Sequence, residues 1–157
     1  MLRDSRDIIG NSAPEADGSD PRLEDTIETL RGCLADDGTV TLVLGAESQL
    51  VATGREEFGL FLRGFFTFNY GFVATQHITG NIQINFNDQN SATVVSYVLA
   101  NHFKPNGRKL TTLARYEDIV ERIGAEWKIT QRVVHVLAFW VTDGWFPANP
   151  FDPELNP

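Results

Sequence analysis

The chain holds a single cysteine, Cys33, among its 157 residues. One thiol excludes an internal disulfide and any cysteine-built zinc site. Nowhere do ~18 apolar residues follow one another, so no segment reads as a membrane-spanning helix. Basic residues are scarce: 13 Lys and Arg stand against 21 Asp and Glu, a formal net charge of −8. Phosphate backbones and anionic bilayers are bound chiefly by clustered Lys and Arg, so neither nucleic acid nor a membrane is an expected partner. The three histidines lie far apart, with no His-x-His or His-x-x-x-His spacing, so no metal site is expected. Glycine-rich phosphate loops and Gly-x-Ser-x-Gly elbows are missing too. The opening residues MLRDSRDIIG carry charges where a secretory signal needs an apolar stretch, which makes the cytoplasm the expected location.

What is present is apolar and aromatic. Hydrophobic residues make up 42% of the chain, including 11 Phe and 3 Trp. A chain of this length forms one domain and buries ~68–70% of its unfolded surface. Residues 1–21 gather Pro, Gly, Ser and Asp and read as irregular or as a short helix. From Arg22, Leu23, Ile27, Leu30 and Leu34 recur at helical spacing, and the helix is expected to end near Asp36–Gly38. Cys33 falls near that stripe and reads as packing. TVTLVLG and LVATG read as short strands around a turn. A second helix follows from Gly54, with Phe58, Phe61, Leu62 and Phe65 on one side.

Beyond Gly71 the hydrophobic period switches to two. Four long runs, Phe72–Phe86, Ser91–Phe103, Leu110–Arg122 and Glu126–Ala138, are separated by NDQN, KPNG and IGAE. Connections this short pair successive strands antiparallel. Strands so much longer than the usual ~5–6 residues must twist and coil. The expected fold is therefore α+β: a cone-like curved antiparallel sheet of about six strands, with N-terminal helices on its concave face. The Pro- and Asn-rich tail, 139–157, reads as irregular.

Simple alternation puts His77 on one face with Thr75, Thr79, Asn81, Gln83 and Asn85, and Ile78, Ile82, Ile84 and Phe86 on the other. An imidazole titrates near neutrality and suits acid–base chemistry; the same pattern also describes a solvated polar face. His102, near the end of the next run, can approach His77 across the hairpin, or can be a rim residue. His135, in VVHVLAF, reads as a hydrogen-bonded core or interface residue. Tyr97 and Tyr116 offer hydroxyl donors for a developing enolate oxygen, or are ordinary sheet aromatics. Asp118 shares strand parity with Tyr116. Arg132 can clamp a carboxylate or pair with an acid across the sheet. Phe58, Phe65 and Trp127 are core residues that could also wall a flat ligand.

Several segments, in order, carry a resemblance. LADDGTV, TGREEF, QHITGN, SATVVSYVLANH and RYEDIVERIGAEWKITQR together resemble the SnoaL-like branch of the nuclear transport factor 2-like superfamily, over about Asp17 to Ala138. That branch includes polyketide cyclases and relatives of scytalone dehydratase and ketosteroid isomerase. The resemblance implies a cofactor-independent lyase or isomerase acting on a small apolar carbonyl compound in an enclosed pocket, or a non-catalytic binder of the same fold. It implies His77 as base and a second pocket histidine at His102; His102, Tyr97 or Asp17 would assist the base. It places Asp17, by order, at the family's pocket-facing acid; the family's neighbouring Tyr has no counterpart here. The long strands keep apolar residues on both faces, so a homodimer through the outer face is expected.

Overall fold

The computed structural model describes residues 21–45, 49–65, 72, 74–104 and 106–143. Helix α1 (Pro21–Cys33) leads into strand β1 (Leu34–Val43) and strand β2 (Gln49–Thr53), followed by helix α2 (Gly54–Arg63). Four long strands complete the fold: β3 (Ala74–Phe86), β4 (Ser91–Phe103), β5 (Lys109–Ile123) and β6 (Glu126–Thr142). They form one curved, unclosed sheet in the order β2-β1-β6-β5-β4-β3. The sheet is mixed rather than wholly antiparallel, because β1 runs parallel to β6. That pairing joins the two ends of the fold, and a parallel partner is accessible only through such a long connection. No helix among the described residues is long and apolar enough to cross a membrane.

The helical stripe ends earlier than its spacing predicts. Leu34 is 1% exposed, as expected of a core residue, but it opens β1 instead of closing α1. Cys33 is exposed, so it does not pack. A register shift between Leu34 and Thr39 absorbs the Asp36–Gly38 turn within the strand. A Cβ at Gly38 would lie 2.8 Å from the Ile129 carbonyl oxygen and the Leu34 side chain, so only glycine lets the strand pass there. Strand β6 runs on to Thr142, past the expected end at Ala138.

The two helices lie antiparallel. Arg63 of α2 makes a forked pair with Glu24 of α1, and Arg31 of α1 donates to the Arg55 carbonyl oxygen at the other end. Ile27 and Leu62 are buried beneath this layer. The sheet face shared with the helices, called inner here, carries the core: Val40, Ala52, Ala92, Val98, Ala100 and Ala114 are all buried. Cross-strand register joins these residues to His77, His102, Tyr116, Asp118 and Arg132 on that same face.

One local feature overturns the alternation expected for β3. Gly80 pairs with Tyr97 and Gln83 with Val95, so β3 carries one residue more than β4 between those pairs. Asn81 sits there at φ 51°. Such a bulge inverts strand parity. Ile82, Ile84 and Phe86 consequently share the inner face with His77, and Gln83 and Asn85 turn outward. Phe86 then reaches the Trp127 ring, at 6.2 Å between centroids.

Candidate functional site

The register pairs His77 with Ala100 and His102 with Thr75, one step apart on the inner face of the β3–β4 hairpin. Their rings meet edge to face, with centroids 5.3 Å apart and an interplanar angle of 89°. Aromatic side chains from the helix side close over His102. Phe72 stacks on it at 4.7 Å, and Phe65, just past the end of α2, meets it edge-on at 5.4 Å. Phe65 also contacts Phe61 and Phe72. The aromatic run around α2 thus builds the wall that desolvates one imidazole.

Desolvation sets the electrostatics. His102 is 3% exposed. Burial, and then the neighbouring His77, push its pKa down to about 4. The imidazole is therefore neutral at neutral pH. Its Nδ1 is buried and has no hydrogen-bond partner among the described residues. Buried polar atoms are nearly always paired, so an orphan ring nitrogen marks a place for a ligand or water. His77 belongs to an edge strand and is exposed as a residue. Its ring nevertheless turns in against His102, and the surrounding protein lowers its pKa through desolvation. The shift follows the ring's own surroundings, while the exposure reflects the uncovered edge of β3.

The lowered pKa of His102 has a consequence for folding. Between pH ~6.5 and pH ~4 the unfolded chain binds a proton here that the folded chain does not, so stability rises with pH across that window. We predict that unfolding free energy is lost progressively as pH falls from ~6.5 towards ~4, by an amount on the order of 3 kcal/mol. His102→Asn should flatten that segment of a denaturation-versus-pH series. An equally steep segment in the variant would assign the dependence elsewhere.

Tyr116, Asp118 and Arg132 form a second polar station on the same face. Arg132 grips Asp118 with a fork, Nε to Oδ1 at 2.8 Å and Nη2 to Oδ2 at 2.6 Å. Its guanidinium carbon lies 4.8 Å from the centre of the Tyr116 ring. Burial pulls the guanidinium pKa down, but the hydrogen bonds and charge of Asp118 outweigh it and the net shift is upward. Burial raises the Tyr116 hydroxyl, with Arg132 opposing and Asp118 reinforcing. Of the two readings open to Arg132, clamping a ligand carboxylate or pairing with an acid across the sheet, the second is the one seen, and Asp118 is its partner. The carboxylate wins the Arg because the register sets Asp118 opposite Arg132.

The two stations do not touch. Tyr116 pairs with Ser96, six residues along β4 from His102, or roughly 20 Å of strand. Ser96, Val98, Ala100 and Ala114 floor the interval, all of them buried although all are small. Trp127 lies beyond Asp118 towards the far hairpins, against Phe86 and away from the histidines. Phe58 is half-buried on α2.

Tyr97 is not at the site. It pairs with Arg115 on the outer face and is 40% exposed. Its odd number places it opposite the even-numbered His102, a parity visible in the sequence. His135 is on the outer face as well, 3.6 Å from Glu117. Asp17 lies outside the described residues. The residues missed from the sequence are Phe72, whose ring stacks on His102, and the inner-face set Ile82, Ile84 and Phe86. Asn81 beside Gly80 was the available signal for the bulge. An open hollow at the β3–β4 turn, lined by Asp88, Gln89, Asn90, Ser91, Glu121 and Arg122, is polar and at the opposite end of the hairpin from the imidazoles. Among the described residues no group of three or more His, Cys, Asp or Glu is placed to hold a metal ion.

A helical pair laid on a curved, open, six-stranded mixed sheet is the cone of nuclear transport factor 2-like proteins. The SnoaL-like domain matches residues 24–133, most of the chain, and the protein belongs to that family. Among solved structures, a proposed scytalone dehydratase from Novosphingobium aromaticivorans is similar at 29% identity and TM-score 0.64, with 87% of each chain covered. The hexachlorocyclohexane dehydrochlorinase LinA-type3 from Novosphingobium barchaimii is similar at 17% identity and TM-score 0.65, covering 80% of this chain and 84% of that one. A Nostoc punctiforme protein of unknown function with a cystatin-like fold is similar at 23% identity and TM-score 0.54, covering 72% and 77%. The latter two bear on the fold alone. No curated protein matches the sequence.

Proposed function

We propose that the protein is a cofactor-independent lyase or isomerase, of dehydratase or cyclase type, acting on a small apolar carbonyl compound held against the inner face. The observation that carries this reading is the His77–His102 pair, with a buried, unpartnered ring nitrogen on His102. The SnoaL-like family and the scytalone dehydratase relative support lyase-type chemistry. Dehydratase, in the name of the 29%-identical structure, denotes elimination.

The residues divide the work by their surroundings. His77, neutral and reaching solvent on one side, takes the proton from the carbon next to the carbonyl. His102 stays neutral and offers a ring nitrogen to the carbonyl oxygen as enolate character grows, as a neutral donor in a dry site should. The protonated His77 then returns its proton to the departing hydroxyl, or to a different carbon in an isomerisation. The small floor of Ser96, Val98, Ala100 and Ala114, walled by Phe65 and Phe72, suits an apolar body rather than a charged one.

A second reading, a binding module without turnover, has one observation in its favour. Asp118 is tied to Arg132, and among the described residues no carboxylate is paired with either imidazole. A panel of β-hydroxy and β-halo carbonyl compounds separates the two readings. Ultraviolet absorbance follows formation of the conjugated double bond, and deuterium uptake from heavy water reports proton abstraction even without elimination. The enzyme reading expects at least one of these signals. Ligands that raise the melting temperature but give neither signal would leave only the binder.

A further inference from the structure

We infer that an open shelf formed by Phe139 and Val141, across the sheet from the two imidazoles, selects the substrate. It takes a flat apolar ring carried some distance from the reacting carbonyl, so the site favours an elongated aryl ketone over a compact one. The inference rests on the site proposed above and names what fills its far side.

Cross-strand register builds the shelf. His77, Ala100, Thr112 and Phe139 stand in one row across β3, β4, β5 and β6. The next row is Thr75, His102, Leu110 and Val141. Residues directly opposite one another share a sheet face. The imidazoles and the shelf therefore look into one concavity from its two sides. The extension of β6 to Thr142 supplies both shelf residues. Three strand spacings, ~14 Å between Cα atoms, separate His77 from Phe139, and the curl of the sheet brings the side-chain tips closer. Between them the row holds only Ala100 and Thr112, two short side chains. The result is a trough with ring nitrogens on one bank and a phenyl ring on the other.

Exposure decides which way a ligand can extend. Towards Tyr116 the floor is already covered, with Val98 1% and Ala114 3% exposed. Across the strands it is open: Phe139 is 70% and Val141 48% exposed, although both lie on the face that carries the core. The buried Nδ1 of His102, which has no partner among the described residues, calls for a polar atom. The shelf calls for an apolar plane. One molecule lying along the row satisfies both, whereas a compact carbonyl compound reaches the imidazoles and leaves the phenyl ring wet. Apart from the imidazoles, neither row holds a titratable side chain. A charged group on the far arm would find no counter-charge there.

The test is titration calorimetry of the whole chain with two ketones that differ by one ring, acetophenone and 4-acetylbiphenyl. Circular dichroism verifies the folding of each variant. The wild type should bind 4-acetylbiphenyl about tenfold more tightly, since the second ring is buried against Phe139. Phe139→Ala should remove most of that preference, and Phe139→Trp should keep it. Trp140→Ala, the next residue but on the outer face, should leave the preference as it is. Binding of neither ketone, equal binding of the two, or a preference that survives Phe139→Ala or is lost equally in Trp140→Ala would overturn the inference. Deuterium uptake by the acetyl methyl group, followed by nuclear magnetic resonance, separates this result from the function proposed above. A preference that depends on Phe139 without uptake keeps the shelf and leaves a binder. Uptake without a preference keeps the chemistry and removes the shelf.

Discussion

His77→Ala is expected to lower turnover by ~10²–10⁴-fold, the usual worth of a positioned general base, on any substrate the panel identifies. The fold should survive the change. His77 lies on an edge strand, is exposed as a residue, and its ring contact is with His102. Far-ultraviolet circular dichroism and the denaturation midpoint should therefore stay near wild type while the rate collapses. The pH profile gives a second readout. Desolvation lowers the His77 pKa, so the base remains unprotonated further into acid than a free imidazole would. The acid limb of kcat/KM should then fall below pH ~6.5, the free-imidazole value. Turnover unchanged in His77→Ala would reject His77 as the base, whatever the fold does.

The largest effect on stability is expected at the second station. Asp118→Ala should cost ~3 kcal/mol or somewhat more, because it strands the Arg132 guanidinium without its counter-charge. Asp118 is 5% exposed. The Arg132 side chain retains 26% of its exposure, which holds the loss towards the low end of the range for buried pairs. Replacing both partners with apolar residues, Asp118→Leu with Arg132→Met, should recover most of the loss, since neither charge is then left buried alone. Urea denaturation of the two variants decides the matter. A double variant no more stable than Asp118→Ala would mean that the pair contributes through shape rather than charge. Because this station lies roughly 20 Å along the strand from the histidines, the proton-transfer rate per folded molecule should change far less than stability does.

Much of the architecture was legible in the sequence because it rests on local regularities. The period-two runs after Gly71, cut by NDQN, KPNG and IGAE, fix four long strands and their antiparallel order, since a short turn leaves the chain no other way to return. The −8 charge and the single cysteine bound the chemistry equally directly. Helix α2 follows from the Gly-Arg-Glu-Glu opening and the phenylalanines spaced behind it. The proximity of His77 and His102 also follows, because each stands about a dozen residues from the same turn.

Alternation alone could not supply the phase of β3 beyond Gly80. A single extra residue at the Asn81 bulge reverses every side chain after it, carrying Ile82, Ile84 and Phe86 to the inner face. Nor could the sequence say that β1 runs beside β6, because that contact joins segments about ninety residues apart with no turn to align them. Only cross-strand register decided that Asp118 and Arg132 neutralise each other instead of waiting for a ligand. The His102 pKa likewise depends on Phe65 and Phe72, which the chain brings over the imidazole from the helix side. Spacing fixes which residues share a strand face, whereas burial and charge pairing arise only when distant segments pack together.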